Sequence, residues 1–73
     1  MTEEGRVKFY NAEKRFGFIS ADAGDIFFSG AALDLAGIMS IASGDRVSFC
    51  REPTGDGRTR AGQMRVLETA GNR

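Results

Sequence analysis

Phe16, Phe18 and Phe27 are the residues of this chain whose type and spacing could do chemistry. In Lys14-Arg-Phe-Gly-Phe-Ile19 side chains alternate with period two, so Phe16 and Phe18 share one face of a strand and Gly17 and Ile19 the other. In Asp25-Ile-Phe-Phe-Ser29, Ile26 and Phe28 share a face and Phe27 takes the opposite one. Burying Ile19, Ile26 and Phe28 therefore turns three rings toward water. Exposed rings can stack planar groups, and an unpaired nucleobase gains about 1–3 kcal/mol on such a platform. Lys8, Lys14 and Arg15 stand beside the rings and could meet phosphates. Without the rings they would be ordinary solvated charges. The competing reading, a Phe-Gly-Phe strand with its rings in the core, would leave Ile19 in solvent.

Other chemistry finds little support. There is no histidine and the single cysteine is Cys50, so an internal disulfide and a Cys/His metal cluster are excluded. No carboxylate pair or nucleophile beside a base is recognisable, and Gly55 and Gly57 read as turn residues. Neither an enzyme nor a metal or cofactor is expected. Cys50, projecting outward from a strand, reads as an incidental small residue.

The elements that must position the rings are short. The 73 residues, with ten glycines and one proline, suggest a single domain of strands and tight turns over 1–73, its core about 5–68 and its tails flexible. A hairpin spans Gly5–Ser20 around Asn11-Ala-Glu-Lys14, and a third strand follows the turn Asp22-Ala-Gly-Asp25. A fourth strand over Asp45–Arg51 points Val47 and Phe49 inward, and a fifth over Arg60–Leu67 has Met64 and Val66 as core candidates. Between strands three and four, Leu35, Ile38, Met39 and Ala42 have helical spacing, with Ser29 as a start and Gly44 as an end. Gly37 weakens that helix, so a long connection with one helical turn is expected. Lys+Arg and Asp+Glu number ten each, so any attraction for a polyanion must be local. The acidic start MTEEGR lacks an apolar segment behind it, and no run is long enough to span a bilayer. A cytoplasmic location without membrane contact is the expectation.

Together these segments resemble the bacterial cold-shock domain. Gly5-Arg-Val-Lys-Phe-Tyr-Asn and Lys14-Arg-Phe-Gly-Phe-Ile19 are similar to the family's Lys-Trp-Phe-Asn and its first ribonucleoprotein motif, Lys-Gly-Phe-Gly-Phe-Ile, Arg15 being the departure in the latter. Asp25-Ile-Phe-Phe-Ser-Gly30 falls where the family has Asp-Val-Phe-Val-His-Phe. Gly44-Asp-Arg-Val-Ser-Phe49 and Ala61-Gly-Gln-Met64 resemble its last two strands. The resemblance implies an all-β, five-stranded antiparallel OB-fold barrel that binds single-stranded RNA or DNA. Carried over by position, the binding surface is Lys8, Phe9, Tyr10, Lys14, Phe16, Phe18 and Phe27. Arg58 and Arg60, in or beside the last loop, could add a second basic patch. Strict alternation places Phe9 and Tyr10 on opposite faces, whereas the resemblance implies that both reach the ligand.

The departures bear on strength. The family's tryptophan is Phe9 here, its histidine and phenylalanine are Ser29 and Gly30, and an aromatic of its long loop aligns with Ile38. Weakened single-strand binding by a monomer, of the RNA-chaperone or regulatory kind, is the first expectation. Restoring Ser29→His with Gly30→Phe should then tighten it. The alternative is a barrel that has exchanged part of this face for a protein contact or a dimer, through Leu33, Leu35, Ile38, Met39 and Ile41 in the 30–43 segment.

Overall fold

The computed structural model describes residues 2–69, and the expected mobility of the extreme ends falls largely outside them. Five strands and one helix follow in order: β1 Glu3–Asn11, β2 Phe16–Ala21, β3 Ile26–Ser29, α1 Gly30–Ala36, β4 Arg46–Pro53 and β5 Thr59–Glu68. They close into a barrel of order β1-β2-β3-β5-β4, with β4 returning to β1. The antiparallel arrangement expected holds at every seam but one. Between β3 and β5 the strands are parallel, and a single register pair, Phe27 with Arg60, joins them.

Alternation builds the core. Val7, Ile19, Ile26, Phe28, Val47, Phe49, Ala61 and Met64 point inward, and Leu33 of α1 closes one end. Val66, a core candidate from the pattern, is only partly buried against this cluster. Gly17 is needed where β1, β2 and β3 crowd, because a Cβ there would lie 2.3 Å from the Phe9 carbonyl oxygen and 2.7 Å from the Phe28 ring. Asn11 makes the β1–β2 turn, its side-chain oxygen accepting from the Glu13 and Lys14 amides at 3.0 Å.

The connection after β3 departs from the helical spacing. The helix is Gly30–Ala36 and stops at Gly37, which takes a left-handed φ of 73°. Its amide donates to the Asp34 carbonyl and the Ile38 amide to the Leu33 carbonyl, satisfying the last turn as glycine-terminated helices do. Ser29 begins the helix but makes no side-chain capping bond. The buried helical residues are Gly30 and Leu33, while Leu35 in the helix and Met39 beyond it are 90% and 98% exposed. Ile38 and Ile41 lean on the core from an irregular segment. The apolar 30–43 segment named for a partner contact is therefore not uniformly exposed. Its members are divided between core and solvent. Among the described residues no helix is long and apolar enough to cross a membrane.

Candidate nucleic-acid interface

Four rings assemble on the outside of β1, β2 and β3. Phe18 lies 5.6 Å from Phe9 and 5.9 Å from Phe27, measured between centroids, and Phe16 lies 5.9 Å from Phe9 and 6.2 Å from Phe27. Phe16 and Phe18 meet edge to face. Strand register explains the grouping: Phe9 faces Phe18 across β1–β2, and Phe18 faces Phe27 across β2–β3. The rings cover one another's flanks, so Phe9 and Phe27 remain about two-fifths exposed and Phe16 and Phe18 are half-buried.

The position of Phe9 comes from a bulge. Val7 pairs with Ile19 and Phe9 with the very next residue of β2, Phe18, so Lys8 is an extra residue in β1. One extra residue reverses the side-chain alternation beyond it. Val7 points inward, and so would Phe9 on a regular strand; the bulge sends Phe9 outward and Tyr10 inward. Tyr10 stacks on the buried Phe28 at 5.6 Å and 14°. Of the two residues that the resemblance assigns to the ligand, Phe9 thus joins the strip, while the Tyr10 ring lies against the core.

The charged candidates scatter. Lys8 is exposed and its Nζ contacts Asp25 Oδ2 at 2.7 Å. Lys14 sits exposed in the β1–β2 turn. Arg60 stands beside Phe27 across the parallel seam and reaches toward Glu52, Nε to Oε1 3.8 Å. Arg58 lies in the β4–β5 loop, where its amide donates to Asp56 and its carbonyl accepts from the Thr54 amide. Arg60 is therefore brought to the strip's border, while the backbone of Arg58 shapes its turn and its side chain is exposed. Sequence reasoning missed the ion-pair partners Asp25 and Glu52, since neither lies near its cation in the chain. No group of three or more potential metal-ligating side chains occurs among the described residues.

A closed five-stranded barrel with an aromatic patch on its first three strands defines a class of small nucleic-acid-binding domains. Residues 3–67 match the family model described as the 'Cold-shock' DNA-binding domain. The chain belongs to the cold-shock domain family. It is 46% identical over 48 residues to cold shock protein CspC of Bacillus subtilis, covering 64% of this chain and 73% of that protein. To the major cold shock protein of Streptococcus pyogenes serotype M6 it is 43% identical over 47 residues, 63% of this chain and 70% of the other. Glycine-rich protein 2 of Nicotiana sylvestris is 42% identical over 60 residues, which are 80% of this chain but only 28% of that longer protein.

Proposed function

We propose that the chain binds single-stranded RNA or DNA, without catalysis, by stacking unpaired bases on Phe9, Phe16, Phe18 and Phe27. The observation that carries this reading is the outward grouping of four rings: Phe16, Phe18 and Phe27 could be buried only by exposing Ile19 and Ile26, and the bulge at Lys8 turns Phe9 out to join them. Stacking requires unpaired bases, so a duplex, whose bases are already stacked, offers these rings nothing. Lys8, Lys14 and Arg60 border the strip and supply the phosphate contacts, with exposed Arg58 in the β4–β5 loop as a further cation; Tyr10 contributes less, its ring lying against the core.

Binding of this kind lowers the free energy of the open strand relative to the paired one. The cellular role it supports is that of an RNA chaperone or a regulator of transcription or translation, acting as a monomer in the cytoplasm. Affinity is micromolar or weaker, because residues 29 and 30 carry no ring and Ile38 packs inward. Titration of the protein against labelled pyrimidine-rich single strands and the matching duplex tests this. Clear preference for the single strand is expected, and equal affinity for both would overturn the reading.

A further inference from the structure

In sequence Arg15 is a departure from the family pattern and a cation beside the rings that could meet phosphate. Its backbone holds a left-handed φ of 58°, a conformation in which a side chain is strained and glycine is not. Its side chain is held in place. Nη2 donates to the Gly30 carbonyl at 3.2 Å and to Asp34 Oδ1 at 2.8 Å. The guanidinium lies directly over Gly30, since a Cβ on that glycine would fall 2.4 Å from Arg15 Nε and 2.9 Å from Cζ. Residues 15 and 30, the two sites where this sequence replaces a glycine and a phenylalanine of the pattern it resembles, thus compete for one volume. Here the arginine fills it.

That volume lies at the α1 end of the aromatic strip. The register pairs Phe16 with Ser29, and the Gly30 amide donates to the Arg15 carbonyl at 2.8 Å, extending the ladder one step beyond. Arg15 adjoins Phe16, which in turn stacks on Phe27. The side chain is 52% exposed, so solvent reaches it while two acceptors fix it. A guanidinium held in this way presents a planar surface on which a nucleobase can stack, together with a charge for phosphate.

We infer that Arg15 is a further nucleic-acid-binding residue, whose guanidinium, seated over Gly30, extends the strip past Phe16 and receives a base of the strand on its solvent-facing side. The inference rests on the single-strand reading given above. Asp34 is the positioning residue, together with the Gly30 carbonyl and the Tyr10 hydroxyl.

The test compares wild type, Arg15→Gly, Arg15→Lys and Phe18→Ala in titrations against a short labelled oligothymidine, with a thermal melt of each. Arg15→Gly, which suits the left-handed backbone, is expected to weaken binding about tenfold with little change in melting. Arg15→Lys keeps the charge without the plane and should also weaken binding, by about threefold or more. Unchanged affinity in either Arg15 variant, alongside a loss in Phe18→Ala, overturns the inference and leaves the strip intact. If Phe18→Ala binds as wild type does, it is the strip reading itself that fails.

Discussion

Truncating Phe18 and truncating Ile19 remove similar apolar bulk from adjacent residues, yet the consequences should diverge. Ile19 is fully buried, and its replacement by alanine is expected to cost about 2–5 kcal/mol of stability with little direct effect on oligonucleotide contact. Phe18→Ala should weaken single-strand binding by about 1–3 kcal/mol. It will not be free of a folding cost, because Phe18 also packs against Phe9, Phe16 and Phe27, and such ring pairs contribute about 0.5–1.5 kcal/mol each beyond burial. Chemical denaturation beside the titration separates the two effects; equal loss of stability in both variants would contradict the facing described. Gly30→Phe offers a second contrast. The sequence suggests that a ring there should tighten binding, but the structure puts Arg15 in its way. Gly30→Phe alone is expected to lower the melting temperature, and adding Arg15→Gly should recover it.

At the scale of elements, period two was enough to orient β2, β3 and β4, since Ile19, Ile26 with Phe28, and Val47 with Phe49 each leave only one choice of face. It could not orient the end of β1. The bulge at Lys8 is a matter of how many residues one strand sets against its neighbour, and no side chain near it announces the extra count. The helix is short as Gly37 led one to expect: Leu35, Ile38, Met39 and Ala42 have helical spacing, but Gly37 ends α1 before the stripe can be used. Arg15 and Gly30 were each legible as departures, while their shared volume was not, because it depends on a contact between the β1–β2 turn and the start of α1. Gly17→Ala tests the crowding of the first three strands. The added methyl meets the Phe9 carbonyl and the Phe28 ring, and a loss of about 1–3 kcal/mol in a denaturant midpoint is expected. In the β4–β5 loop the Thr54 hydroxyl, and after it the Arg58 amide, donate to Asp56 and hold its carboxyl below the ordinary range. With the folded pKa depressed, this contribution is present above the unfolded carboxylate pKa and is lost as pH falls through the lowered one. An NMR titration of Asp56 should show the depression, and Thr54→Ala should largely remove it.

For the whole molecule, charge decides how binding responds to salt. The ten cations are balanced by ten anions, and two of those bordering the strip, Lys8 and Arg60, already have carboxylate neighbours in Asp25 and Glu52. Few counterions are then released when a strand docks. At about 0.7 per phosphate on a single strand, two or three contacts give a slope of log affinity on log salt no steeper than about −2. A much steeper slope, measured by titration across salt concentrations, would mean that phosphates and not bases dominate.

The parallel seam gives this barrel a weak side. Where other strands are joined by runs of register pairs, β3 and β5 share only Phe27 with Arg60, so local opening there should need less free energy than elsewhere. Amide hydrogen exchange at this seam is accordingly expected to outpace that of β1–β2. The same pair carries a ring of the strip and a bordering cation, so a bound strand that engages both would act as a staple across the gap. Protection at the seam should rise on adding oligonucleotide more than protection at β1–β4, and an even rise throughout the barrel would show that the ligand holds the domain together in some other way.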